Sequence, residues 1–230
     1  MNNSEDIQEL TILPYPYESN PLFKKNFYES FLKRVFDFCL GLLLLPIILP
    51  ILALLMIAVK ISSSGPAIYK SDRMGRDGKK FKIYKIRTMW SDASERLQSL
   101  LNSNPQLRSE WEKDQKLKSD PRITPIGKIL RTLSLDELPQ IFNILKGEMS
   151  FVGPRPIVES EIIKYGPHFK DYKQVRPGLT GLWQVSGRND VMYAQRIKLD
   201  SHYARSISLI LDTKIFLKTL LVVLFRKGAY

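Results

Sequence analysis

A disulfide framework, a zinc-ligand spacing and a serine-hydrolase elbow are all missing from this sequence. The single cysteine, Cys39, lies inside an apolar run, so no disulfide framework exists and the soluble part fits a reducing cytoplasm. Cys39 itself reads as a small buried apolar residue. The two histidines, His168 and His202, have no partners at metal-ligand spacing, which argues against a zinc site. Neither a Walker phosphate loop nor a dinucleotide fingerprint is present, and no Gly-x-Ser-x-Gly elbow marks a serine hydrolase. Helix-turn-helix, zinc-finger and aromatic RNA-binding signatures are missing too, so nucleic acid is not an expected partner. No internal repeat appears.

Acidic residues are outnumbered. Lys and Arg total 35 against 23 Asp and Glu, a formal net charge of +12. With nucleic acid set aside, this balance points to anionic lipid head groups or small phosphorylated substrates. The 230 residues suffice for one compact domain of ordinary size plus a membrane element.

That element is an uncharged run from Phe38 to Val59 with Pro46 and Pro50 in its middle. About 20 apolar residues in a helix match the hydrocarbon thickness of a bilayer. Lys and Arg beside a membrane segment favour the cytosol. Here Lys24, Lys25, Lys33 and Arg34 precede the run, and Lys60, Lys70, Arg73, Arg76, Lys79 and Lys80 follow it. Both flanks therefore ask for the same compartment. A helix that enters, bends at Pro50 and leaves on its own side satisfies both, because proline removes a backbone donor and clashes with the preceding turn. The competing reading is a kinked single-pass helix. A cleaved signal peptide fits poorly, since the run starts far into the chain and is too long.

Residues 1–30 carry Pro14, Pro16 and Pro21 without a sustained period and read as an extended arm. Ala67 to Met89 reads as a β-hairpin around Gly75 to Gly78, its second strand alternating apolar and basic residues. Ser94 to Lys118 reads as surface helix interrupted near Pro105. A helical block is expected from Ile126 to Leu145, stopped by Gly147. Two proline- and glycine-rich loops follow, Ser150 to Pro156 and Val175 to Arg188, each with arginine on a stiffened backbone. The apolar stretch Ile215 to Phe225 suits either the membrane interface or a core helix.

Adjacent carboxylates occur in Ser134-Leu135-Asp136-Glu137-Leu138-Pro139-Gln140, soon after Arg131. Ser134 with Glu137 has the spacing of a capping box, which would make the acids purely structural. The chemical alternative needs an anion nearby. A carboxylate can attack phosphorus if the phosphate oxygens are neutralised. Asp136 and Glu137 together could recruit Mg2+, which takes one or two carboxylates plus phosphate oxygens and water. Lys85, Arg87, Arg131, Arg155, Arg176 and Arg188 are the candidate phosphate-binding cations.

Five segments in order resemble the bacterial sugar transferases, the monotopic polyprenyl-phosphate phosphoglycosyl transferases. They are Lys33-Arg34-Val35-Phe36-Asp37, Lys82 to Met89, Arg131 to Gln140, Met149 to Pro156, and Val175 to Arg188. The resemblance implies a mostly helical α+β monotopic membrane protein: an arm over 1–30, a Pro-broken re-entrant helix over 31–62, and a catalytic domain over 63–230. A small β-hairpin and amphipathic interfacial helices belong to that domain. It implies Asp136 as nucleophile, Glu137 with Asp136 as Mg2+ ligands, and Pro50 as the helix-breaking proline. Some members carry a serine before that proline where this chain has Leu49. Lys85, Arg87, Arg131 and Arg155 match basic positions linked to phosphate and nucleotide binding.

The implied reaction moves a hexose 1-phosphate from a UDP-sugar to undecaprenyl phosphate through an aspartyl-phosphosugar, releasing UMP. It would occur at the cytoplasmic face of the bacterial inner membrane, as the first membrane step of surface polysaccharide synthesis. Gly181 to Asp190 and the ending Gly228-Ala229-Tyr230 look most like the undecaprenyl-phosphate galactose phosphotransferases, with glucose and N-acetyl sugars as alternatives. Such relatives often carry extra transmembrane helices, and this chain resembles the minimal catalytic unit. A homodimer is left open. The rival readings are a nucleotide-sugar hydrolase and a polybasic membrane-anchored scaffold.

Overall fold

A computed structural model describes residues 27–114, 117, 119–187 and 191–224, so Arg188 and most of the 1–30 arm lie outside the described residues. A π-helical turn, Tyr28–Leu32, leads into helix α1, Lys33–Ser62. At about 1.5 Å per residue, α1 is roughly 45 Å long. Its best 18-residue window has a mean hydropathy of 3.0, and 11% of that window is buried. So apolar a surface turned outward, on a helix long enough to reach across a bilayer, fits association with a membrane. The helical backbone runs unbroken through Pro46 and Pro50. Cys39 is exposed among equally exposed Phe38 and Leu42, which corrects the expectation of burial. The reason is that this helix turns most of its apolar side chains away from the protein.

The hairpin forms as expected. Strand β1, Ile68–Met74, pairs with β2, Lys80–Ile86, across a turn in which Asp77 and Gly78 take positive φ of 58° and 72°. The charged segment splits at Asn104 into α2, Ala93–Ser103, and α3, Pro105–Asp114. Asn104 Oδ1 accepts the Gln106 and Leu107 amides at 3.0 and 3.1 Å, and Pro105 stands at a helix start, where it lacks no needed donor.

The block expected over 126–145 is three pieces. Helix α4, Pro125–Thr132, is capped by Thr124, whose hydroxyl accepts the Gly127 amide at 2.9 Å. Ser134 then adopts a left-handed conformation, φ 56°, and a 3-10 turn covers Leu135–Gln140 before α5, Ile141–Lys146. Ser134 makes no side-chain cap, so the capping-box expectation fails. The left-handed backbone at Ser134 breaks the helix, and Pro139 inside the 3-10 turn cannot donate to a continuous ladder. Gly147 does stop α5, with φ 81°.

Each of the two proline-rich loops hides a short strand. Strand β3, Ser150–Val152, runs parallel to β4, Gly178–Thr180, with Ser150 opposite Gly178. A Cβ on Gly178 would lie 2.1 Å from the Gly153 nitrogen, so only glycine permits this approach. Short helical turns at Ile162–Tyr165, Phe169–Tyr172 and Leu182–Val185 precede α6, Tyr193–Ser206, and α7, Leu209–Leu224.

The chain divides into two compact units. One comprises Leu43–Ser71 with Ile83–Phe142, the other Met1–Leu42, Asp72–Lys82 and Asn143–Tyr230. The first has a core of Leu52, Val59, Ala67, Ile86 and Leu130, backed by Ile126 and Leu135. Burying each such aliphatic side chain contributes about 1.5–3 kcal/mol, which seats α4 and the 3-10 turn against the later part of α1.

The second unit has a core of Met74, Ile157, Tyr165, Tyr172 and Ile197. It also contains a buried ionic cluster. Asp212 accepts Lys33 Nζ at 2.5 Å and the hydroxyls of Tyr28 and Tyr203 at 2.6 Å each. Arg34 donates to the Ile144 and Leu145 carbonyls at the end of α5, and Asp37 accepts from Ser150 Oγ and the Phe151 amide. Lys33 and Arg34, counted above among the flanking cations, are thus engaged inside this unit.

Candidate active site

Five of the sequence candidates fall in the unit formed by Leu43–Ser71 and Ile83–Phe142. Lys85 comes from β2, Arg87 follows it, Arg131 ends α4, and Asp136 and Glu137 sit on the 3-10 turn. Lys85 Nζ donates to Glu137 Oε1 at 2.6 Å and lies 3.8 Å from Asp136 Oδ2. The carboxylates thus converge on one ammonium. Asp136 keeps 12% of its side-chain surface exposed and Glu137 28%, dry enough to strengthen charge interactions and open enough to meet a ligand.

Burial pushes the Asp136 carboxyl above its ordinary value. The charge of Lys85 pulls it down, Glu137 pushes it up, and Arg131 pulls it down again. Asp136 is therefore a more basic carboxylate than usual, flanked by cations that would offset repulsion from an incoming phosphate.

Arg87 is employed differently from Arg131. Its guanidinium, buried, donates to the Ser64 carbonyl at 2.5 Å and to the Ser63 carbonyl and hydroxyl at 2.8 and 3.0 Å. It staples the segment after α1 to the end of β2. Arg131, exposed as a residue, donates its Nε to Thr88 Oγ1 at 2.9 Å. Beside it, Arg122 pairs with Asp120 at 2.6 Å and lies over the Trp111 ring at 4.9 Å. Thr88, Asp120 and Arg122 were not singled out from sequence. Thr88 belongs to the motif Lys82 to Met89, but nothing local marks its hydroxyl as a partner for Arg131.

Arg155 and Arg176 belong to the other unit. Arg155 is exposed and lies 5.9 Å from the Trp183 ring centroid, which Arg196 also approaches at 5.4 Å. Below this aromatic group, Tyr165 donates to Asp200 at 2.7 Å, and burial pushes Asp200 up to about 7. Arg176 donates its Nε to the Gly147 carbonyl at 2.9 Å. Arg188 lies outside the described residues.

The donor set at Asp136 and Glu137 suits a small divalent cation. Two adjacent, partly open carboxylates already gather one positive charge. Among the described residues no group of three or more acidic, histidine or cysteine side chains is assembled, so substrate oxygens and water would complete the shell.

The family model described as "Bacterial sugar transferase" matches residues 28–226. Undecaprenyl-phosphate galactose phosphotransferase of Salmonella typhimurium is 51% identical over 211 residues, 92% of this chain and 44% of that protein. UDP-galactose-lipid carrier transferase of Erwinia amylovora is 48% identical over 212 residues, again 92% and 44%. Exopolysaccharide production protein ExoY of Sinorhizobium fredii is 47% identical over 198 residues, 86% of this chain and 88% of that one. The chain spans less than half the length of the first two.

Proposed function

The chain belongs to the bacterial sugar transferase family, and from that premise we propose that it transfers a hexose 1-phosphate from a UDP-sugar to undecaprenyl phosphate, with galactose 1-phosphate as the group carried. The observation that carries this reading is the convergence of Asp136 and Glu137 on Lys85. It supplies a basic carboxylate, a second acid and a cation at one place.

In the first half-reaction an Asp136 carboxylate oxygen attacks the β-phosphorus, the bond from that phosphorus to the bridging oxygen breaks, and UMP leaves. In the second, a phosphate oxygen of undecaprenyl phosphate attacks the same phosphorus and Asp136 is released as carboxylate. Lys85 and Arg131 neutralise the phosphate oxygens as charge develops on them. A Mg2+ ion held by Glu137 and Asp136 would add Lewis-acid neutralisation of those oxygens. The galactose assignment rests on relatives named for galactose at 51% and 48% identity.

The acceptor's phosphate lies at the membrane surface, and the site must lie at that height. A re-entrant α1, bent near Pro50 and held at the cytoplasmic face of the inner membrane, meets this need. The basic residues on both flanks and the outward apolar surface of α1 support it. Exposed Ile129 on α4 and Leu133 just after it, and Leu209, Ile210, Leu217, Leu220 and Leu221 on α7, suit interfacial contact.

A radiolabelled UDP-sugar panel, run with and without undecaprenyl phosphate, tests the function. UMP and a lipid-linked product are expected from UDP-galactose. Water-only turnover would show a hydrolase, no turnover would leave a scaffold, and product only from UDP-glucose or a UDP-N-acetyl sugar would overturn the sugar assignment.

A further inference from the structure

Thr88 is a buried residue, 6% exposed, that meets α4 at two places. Its carbonyl accepts the amide of Thr124 at 3.0 Å and the Thr124 hydroxyl at 3.4 Å, and Thr124 caps the start of α4. Its own hydroxyl accepts Arg131 Nε near the end of the helix. A helical side chain leans toward the N-terminus of its helix, so Arg131 can reach back to the residue that receives the cap.

This double contact depends on close backbone approach. A Cβ on Gly127 would lie 2.0 Å from the Thr88 carbonyl oxygen, a clash with backbone that no side-chain adjustment relieves. Thr88 is itself held. Arg87 next to it is stapled to Ser63 and Ser64, and an isolated bridge joins Met89 to Ile123.

A guanidinium carries five N–H donors in one plane. Fixing Nε on Thr88 fixes that plane, and among the described residues no protein acceptor takes the two terminal nitrogens of Arg131. Its charge acts on Asp136. We propose that Thr88 is a positioning residue for the transfer reaction: its hydroxyl orients Arg131 so that the terminal edge of the guanidinium stays free for a phosphate oxygen at Asp136. The proposal rests on the functional reading above and adds to it how the arginine is aimed. A bidentate arginine contact needs both terminal nitrogens in one plane with the anion, whereas an untethered side chain loses much of that alignment.

The test compares Thr88→Val, which keeps shape but removes the acceptor, with Thr88→Ser, which retains it. In Thr88→Val, kcat for UMP release from UDP-galactose should fall about tenfold or more while KM changes less than about threefold, because the contact strengthens as phosphate charge develops. Thr88→Ser should recover activity to within about threefold of the starting chain. In an Arg131→Lys background, which has no Nε–H to orient, Thr88→Val should cost less than about twofold more. Equal activity of Thr88→Val and the starting chain, equal loss in Thr88→Ser, or the same tenfold loss in the Arg131→Lys background would overturn the proposal.

A reading independent of turnover is the NMR signal of the Arg131 Nε–H. It should be protected from exchange in the starting chain and in Thr88→Ser, and unprotected in Thr88→Val. Its absence from the starting chain also overturns the proposal. If the protection pattern holds but the starting chain releases no UMP from any UDP-sugar, the functional reading fails instead.

Discussion

Lys85 and Glu137, 52 residues apart in the chain, are joined by a 2.6 Å contact from ammonium to carboxylate, and that contact brings the lysine within 3.8 Å of Asp136. One cation therefore serves two acids. Its removal should be felt at both.

Lys85→Met takes away the charge that most strongly opposes the effect of burial on Asp136, leaving Glu137 to raise its pKa further and Arg131 and a backbone hydrogen bond to lower it. Asp136 must be ionised to attack. The acid limb of kcat/KM against pH should move to higher pH, and kcat/KM at neutral pH should fall about 10- to 100-fold. A pH-rate profile of UMP release checks this. An unmoved acid limb would separate Lys85 from Asp136.

Asp136→Asn should trade activity for stability. Burial raises the carboxyl in the folded chain, so as pH rises the unfolded state releases its proton first. Folding stability contributed by this group is complete below the ordinary carboxylate value and is lost as pH climbs to the raised one. Asparagine avoids that loss. The variant should melt higher than the starting chain at neutral pH and equal to it at pH well below the ordinary carboxylate range, while UMP release falls at least about a thousandfold. Thermal unfolding in detergent at two pH values, beside the transferase assay, reads both.

Lys33→Met should strand Asp212, which is buried with two tyrosine hydroxyls and would lose its cation. Removing one partner of a buried pair costs about 3–5 kcal/mol. Chemical denaturation in micelles should show that loss. Adding Asp212→Asn to Lys33→Met should recover part of it, since the buried charge is then gone.

A re-entrant α1 puts both ends of the helix on one side of the membrane. In a Cys39→Ser chain, cysteines placed at Ser4 and at Ser64 should both react with an impermeant maleimide in inverted vesicles, and neither should react in right-side-out ones. Labelling of the two from opposite faces would replace the hairpin with a span.

Local features were legible without the fold. The hairpin turn around Gly75 to Gly78, the stop at Gly147 and the break near Pro105 each depend on neighbours a few positions away, and each appears in the structure, whereas β2 buries Ile83 and Ile86, three residues apart, instead of one alternating face. Ser134 shows the limit of the same logic. Its spacing to Glu137 fits a capping box, but its left-handed backbone, φ 56°, turns the chain into a 3-10 segment and leaves the hydroxyl uncapped. Arg87 shows another limit. It sits in a basic motif, yet its two terminal nitrogens are taken up by the Ser63 and Ser64 segment.

The sequence by itself determined that an uncharged helix long enough for a bilayer exists, that two carboxylates stand side by side at 136 and 137, and that the chain carries an excess of +12. These are properties of adjacent residues and of sums, which folding does not alter. Only the tertiary structure decided which cations reach those carboxylates, that Thr88 meets Arg131 across 43 residues, and that Lys33 is spent on Asp212 across 179. Such contacts form because packing of the core brings distant segments together, and the choice among many lysines and arginines is made by that packing and not by their place in the chain.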